Sequence, residues 1–158
     1  MSADLLLEAA KTRGIKIATA ESCTGGMVAA ALTDIAGSSE VFERGFVTYS
    51  NAAKIEMLGV SAKTLDKCGA VSEEIAREMA TGALAQSRAT LAVSITGIAG
   101  PGGSEFKPEG CVCFGLALSG QDPRSETVEF GAIGRDHVRE SARDHALMLL
   151  KQAILQTG

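Results

Sequence analysis

CVCFGLALSGQDPRSETVEF, residues 111–130, decides the fold class. Cys111 to Leu118 is apolar at every position, as in a strand buried on both faces. Arg124 to Phe130 alternates, as in a strand with one wet face. Gly120 and Pro123 punctuate the short link between them. Two strands joined so closely must run antiparallel, because a parallel pair needs a crossover of a dozen or more residues. Upstream of this hairpin, helical and strand patterns alternate, as crossovers require. Residues 2–13 read as an amphipathic helix stopped by Gly14, and Ile15 to Ala20 as a first strand. Thr24 to Thr33 reads as a helix closed near Gly37, and Gly45 to Ser50 as an alternating strand. Asn51 is read as the cap of a short helix carrying Lys54, Ile55 and Leu58. Ser72 opens a longer helix whose first-turn Glu73 and Glu74 suit the helix dipole, with Ile75, Met79, Ala83 and Leu84 as its apolar stripe. Thr90 to Thr96 is a buried strand. Downstream, Val138, Ala142, Ala146, Leu149, Leu150, Ala153 and Ile154 mark a long amphipathic helix. The sum is a single α/β domain over residues 1–158, a five-stranded mixed sheet with helices on both faces.

Composition narrows the class of function. The 158 residues are 46% hydrophobic and 22% charged, which excludes disorder. Only 4% are aromatic, there is no Trp, and 18 are Gly, so core density must come from close backbone approach of small residues. A net charge of −4 argues against nucleic acid as a partner. Apolar runs such as Leu147 to Leu150 are far short of a membrane span, and Asp4 and Glu8 around Leu5 to Leu7 do not resemble a signal peptide. Cys23, Cys68, Cys111 and Cys113 follow no disulfide framework, so they are expected as reduced thiols in a cytoplasmic protein. Cys111 and Cys113 share one face of a strand, but with only His137 and His145 to add, no zinc set can be assembled. No metal is expected.

Three stretches concentrate the chemistry. Ala20-Glu21-Ser22-Cys23-Thr24-Gly25-Gly26 joins a strand to a helix, placing hydroxyls at the carboxyl end of a strand, where open sheets bind ligands. Backbone N–H groups at that helix start suit an anion or an oxyanion; equally, Ser22 or Thr24 is an ordinary N-cap. Thr96-Gly97-Ile98-Ala99-Gly100-Pro101-Gly102-Gly103 also ends a strand. Its glycines allow close approach to a phosphate, or make a structural turn, and it matches neither a Walker loop nor a dinucleotide fingerprint. Val47-Thr48-Tyr49-Ser50-Asn51-Ala52-Ala53-Lys54 sets the chain's only Tyr at a strand end and Lys54 one turn into a helix. That lysine is a solvated charge or, if buried, a neutral general base. There is no Gly-x-Ser-x-Gly and no Ser-x-x-Lys, and no His lies near a nucleophile, so a serine hydrolase here needs a base other than His.

Together these motifs resemble one family. The stretch Ala18 to Gly26, Arg44 to Asn51 with Lys54 and Leu58-Gly59-Val60, Gly69-Ala70-Val71-Ser72, and Thr96 to Gly103 follow one another in the order of the C-terminal domain of the competence/damage-inducible protein CinA in its stand-alone form. The resemblance spans essentially the whole chain. It implies a three-layer α/β/α sandwich and nicotinamide-nucleotide amidase activity, converting nicotinamide mononucleotide and water to nicotinic acid mononucleotide and ammonia without metal or cofactor. It further implies Ser22 as nucleophile, Lys54 as base with Tyr49 as its partner, and Thr96 as the strand-end threonine. Thr24, Gly25 and Gly26 are expected to hold the oxyanion, and Gly100, Gly102, Gly103 and Arg135 the substrate phosphate. Gly134, before Arg135, stands where the family commonly has Asp. The partner expected is a small-molecule nucleotide, without nucleic acid or membrane and with a homo-oligomer allowed. The competing expectation is a nucleotide-binding or regulatory module of the same fold without turnover.

Overall fold

The computed structural model describes residues 3–157. Five strands, β1 (Ile17–Glu21), β2 (Phe42–Val47), β3 (Leu91–Gly97), β4 (Cys111–Leu118) and β5 (Arg124–Glu129), form one sheet in the order β2-β1-β3-β4-β5. β1 pairs in parallel with β2 and β3, while β3–β4 and β4–β5 are antiparallel. The sheet is therefore mixed, as residues 111–130 demand. Its six α-helices are α1 (Ala3–Thr12), α2 (Met27–Thr33), α3 (Asn51–Leu58), α4 (Ala62–Cys68), α5 (Glu73–Ala85) and α6 (Arg135–Gln156). Ser2, included in the expected first helix, lies outside the described residues.

The helices divide between two faces. Leu6, Leu7, Val28, Leu32, Val138, Leu150 and Ile154 of α1, α2 and α6 bury against Val93, Ile95, Val112, Phe114 and Leu116. On the other face Leu58, Leu65, Ile75, Met79 and Ala83 of α3, α4 and α5 pack on Ala18, Ala20 and Ala92. This is a three-layer α/β/α sandwich. β1 and β4 are buried at every position, while the edge strand β5 is mostly exposed on both faces, with only Ser125 and Val128 half-buried, so the alternation expected of it is not kept.

Small residues set the spacing of the layers. A Cβ on Gly115 in β4 would sit 2.2 Å from the Ala76 carbonyl oxygen of α5, and one on Gly82 in α5 would sit 2.0 Å from that of Leu58. Neither neighbour is a side-chain tip that can swing away. Gly115→Ala is therefore expected to lower stability by about 1–3 kcal/mol through overpacking, read as a drop in the urea midpoint with an unchanged slope.

Several boundaries differ from the sequence expectation. Ser50, not Asn51, caps α3: it has extended φ/ψ and its Oγ accepts the Ala53 N–H at 3.0 Å. A cap must precede the first helical residue, which is Asn51 itself. β2 begins at Phe42 and ends at Val47, because its partner β1 stops at Glu21, level with Val47. α2 begins at Met27 rather than Thr24, since residues 22–26 form a turn in which Gly25 and Gly26 take positive φ. α4 has one buried residue, Leu65, and so shows no stripe to read; Ser61, whose Oγ accepts the Thr64 N–H, is its signal. All four cysteines are free thiols, with Cys23, Cys111 and Cys113 buried. No group of His, Cys, Asp and Glu among the described residues is arranged to hold a metal, and no described helix is long and apolar enough to cross a membrane.

Candidate active site

The parallel strands β2, β1 and β3 end together at one rim of the sheet. Glu21 stands level with Val47 on one side and Ile95 on the other. The ladder then continues for one step, with the Ser22 N–H donating to the Ile95 carbonyl and the Thr48 N–H to the Glu21 carbonyl, each at 2.9 Å. Residues far apart in the chain are thereby brought to one cleft of about 210 Å³, lined among others by Ser22, Tyr49, Asn51, Lys54, Thr96 and Arg135. A larger groove of about 730 Å³ lies between α4, α5 and Pro123 and contains no comparable serine–lysine pair.

Lys54 is the centre of this cleft. It lies in the first turns of α3, only 1% exposed, and its Nζ folds back toward the strand end. It donates to the Thr48 carbonyl at 2.8 Å and the Tyr49 carbonyl at 3.2 Å, and lies 3.0 Å from Ser22 Oγ. A neutral amine has two N–H donors and one lone pair. Two carbonyls take the donors, which leaves the lone pair for the serine hydroxyl. Burial pushes the Lys54 pKa below the ordinary lysine value, and among the described residues it has no ion pair to hold its charge.

Ser22 is 8% exposed at the start of the turn to α2. Glu21 anchors that turn from inside. Its fully buried carboxylate accepts the N–H groups of Gly26 at 3.2 Å, Val28 at 2.9 Å and Ala29 at 3.0 Å. Nothing in the sequence reading marked this residue, although an acid beside a helix start is a recognisable dipole signal. On the outside of the turn, the Arg139 guanidinium donates to the Cys23 carbonyl at 3.1 Å and the Thr24 carbonyl at 3.4 Å. Cys23 is 5% exposed and packs in the core with α2 and α6, and burial pushes its thiol up to about 11. It is therefore a protonated, weak nucleophile at neutral pH.

The expected backbone cradles lie outside the lining of the cleft, and several of their donors are taken. The Gly26 N–H is held by Glu21 and the Gly25 N–H by the Ser22 carbonyl at 3.1 Å. Thr24, Gly25 and Gly26 do not line the cleft. Nor do Gly100, Gly102 and Gly103; the Gly102 N–H donates to the Glu109 carboxylate at 2.5 Å. A tight turn satisfies its own donors locally, and here two glutamates supply the acceptors. Arg135, by contrast, does reach both the glycine loop and the cleft. Its guanidinium donates to the Gly100 carbonyl at 2.5 Å and to the Tyr49 hydroxyl at 3.1 Å. The Tyr49 side chain is 62% exposed and turned toward Arg135, so it is the Tyr49 backbone carbonyl, not its phenol, that holds Lys54. Thr96, 1% exposed at the end of β3, lines the cleft and donates its hydroxyl to the Ala70 carbonyl at 2.9 Å.

Comparison with known proteins places this geometry in context. The family model of the CinA C-terminal domain matches residues 2–154. Nicotinamide-nucleotide amidohydrolase PncC of Escherichia coli (strain K12) is 55% identical over 150 residues, covering 94% of this chain and 90% of that protein. A CinA-like protein of Chlorobium phaeobacteroides is 53% identical over 146 residues, yet the match spans only 34% of its length. Among solved structures, the competence/damage inducible protein CihA from Agrobacterium tumefaciens superposes with a TM-score of 0.92 at 47% identity, covering 96% of this chain and 92% of that one.

Proposed function

The chain belongs to the CinA C-terminal domain family, and from that premise we propose that it is a nicotinamide-nucleotide amidase, hydrolysing nicotinamide mononucleotide to nicotinic acid mononucleotide and ammonia. The observation that carries the mechanism is the buried Lys54 amine 3.0 Å from Ser22 Oγ, without a carboxylate partner. Ser22 Oγ attacks the carboxamide carbon while Lys54 takes its proton. The C–N bond of the tetrahedral intermediate then breaks, Lys54 returns the proton to the leaving nitrogen, and ammonia departs. Water, deprotonated by Lys54, attacks the resulting ester; the acid is released and the proton returns to Ser22. With the Gly25 and Gly26 N–H groups engaged and Thr24 outside the lining of the cleft, the turn's donor for the oxyanion is the N–H of Cys23, which borders the cleft beside Ser22. Thr96 holds the wall of the cleft beside Ser22. Lys54 is positioned by two main-chain carbonyls, so Tyr49 contributes its phenol to the mouth of the cleft instead, together with Arg135. The domain acts in the cytoplasm, where its four free thiols stay reduced.

The test is direct. Purified protein with nicotinamide mononucleotide should release ammonia and nicotinic acid mononucleotide in equal amounts. Thermal protection by the nucleotide without any ammonia would make the chain a binding module and overturn the reading.

Arg135 supplies the phosphate contact in this scheme, exchanging the Gly100 carbonyl and Tyr49 hydroxyl for an anion that a guanidinium binds in bidentate fashion. The mononucleotide should therefore be preferred over nicotinamide riboside, which lacks only the phosphate. Arg135→Ala should lower kcat/KM for the mononucleotide by roughly tenfold to a hundredfold, equivalent to about 1.5–3 kcal/mol, and leave the riboside nearly unchanged. Equal losses for both substrates would assign Arg135 to the fold.

A further inference from the structure

Arg139 lies one helical turn beyond Arg135 on α6, half-buried beside the fully buried Val138. Its Nε donates to the Cys23 carbonyl at 3.1 Å and its Nη2 to the Thr24 carbonyl at 3.4 Å. The same turn is closed from within by the Gly25 N–H, which donates to the Ser22 carbonyl at 3.1 Å. The guanidinium also presses on the turn from outside while Glu21 holds it from inside through three N–H groups. Gly25 is required there by its φ of +57°, which other residues adopt at a cost; a Cβ at that position would only touch Arg139 Nη2, at 3.4 Å.

We infer that Arg139 is a positioning residue for the reaction: through the Cys23 and Thr24 carbonyls it fixes the turn that carries Ser22, and with it the aim of the Ser22 hydroxyl. The inference rests on the amidase reading. Alignment of the nucleophile acts on the chemical step rather than on substrate binding. Arg139 touches neither the substrate nor Ser22 Oγ; it acts through the main chain. Because α6 also carries Arg135 four residues earlier, on the same side of the helix, the phosphate contact and the nucleophile's turn are set by one rigid element.

The experiment compares wild type, Arg139→Gln and Arg139→Lys for ammonia release from nicotinamide mononucleotide across pH, with thermal melting of each. Arg139→Gln is expected to lower kcat by about 10²-fold, the effect of misplacing a reacting group, with KM within about threefold of wild type and the pH limb from Lys54 unmoved. Arg139→Lys keeps the charge but not the forked contact, and its kcat should fall between the two. If Arg139→Gln does not fold, Arg139→Lys decides alone, with kcat lowered and KM kept. A kcat within threefold of wild type, a loss confined to KM, a shifted pH limb, or a Lys variant no faster than Gln each overturns the inference. Turnover by wild type is read in the same assay. Its absence would sink the amidase reading and this inference with it, whereas an active wild type with indifferent Arg139 variants sinks only the inference.

Discussion

Ser22→Ala is expected to abolish ammonia release, with a loss of at least ~10³-fold in kcat, while Cys23→Ala keeps most of the activity. The two residues are neighbours, and thiols are intrinsically better nucleophiles than hydroxyls, so chemistry alone favours the wrong one. Environment reverses the order. Ser22 Oγ lies 3.0 Å from Lys54 Nζ, whereas Cys23, although it also borders the cleft, is 5% exposed within the core under α2 and α6, with its thiol pushed up to about 11 by burial. Deleting the Cys23 sulfur leaves a small cavity, so the cost should appear in stability rather than turnover. Circular dichroism and melting of both variants, alongside a fixed-time ammonia assay, distinguish the two effects. An inactive but folded Cys23→Ala beside an active Ser22→Ala would transfer the nucleophile to the thiol.

Lys54→Arg should be nearly inactive, by about 10²–10⁴-fold, because a guanidinium holds its proton at any working pH and cannot serve as base. In the wild type, activity should rise with pH along a limb whose midpoint lies below the ordinary lysine value, since burial lowers the Lys54 pKa. The groups facing Nζ are Ser22, the Thr48 and Tyr49 carbonyls, and the nearby Cys23 thiol, which stays protonated through the neutral range. The same shift has a consequence for stability. Between the folded value and 10.5, the unfolded chain binds a proton that the folded chain does not. Stability should therefore rise with pH across that window and be lowest below it. Lys54→Met should remove both the activity and this component of the pH dependence, measured as melting temperature against pH for the two proteins. Nearly full turnover by Lys54→Arg would reduce Lys54 to a fixed charge and end the general-base scheme.

Much of the architecture was legible because it follows from local periodicity. The uninterrupted apolar run Cys111 to Leu118 is β4 to the residue, and the short link to Arg124 forces an antiparallel neighbour. Ser72 with Glu73 and Glu74 announced α5 correctly, since capping and dipole preferences act within a single turn. Failures were also local in origin. α4 buries one residue and gives no stripe. The start of α2 was displaced by the Gly25-Gly26 turn, whose donors are satisfied by Glu21, a residue outside the helix.

For the site, residue types marked the stretches around Ser22, Lys54 and Thr96, the family resemblance singled out these three and added Arg135, and the fold gathers all four at one cleft. The details were out of reach of the sequence. That Lys54 is held by the Thr48 and Tyr49 carbonyls, that the Tyr49 phenol turns to Arg135, and that Glu109 occupies the Gly102 N–H depend on side-chain directions. Arg139 meets Cys23 and Thr24 across more than a hundred residues. What the sequence by itself determined was a set of features governed by neighbours within a few residues: the strands, most helices, the antiparallel hairpin and the chemical types available. What only the tertiary structure decided was which backbone donors remain free, which amine loses its water and which guanidinium reaches the nucleophile's turn. Desolvation and hydrogen-bond competition are set by groups that the chain brings together only on folding.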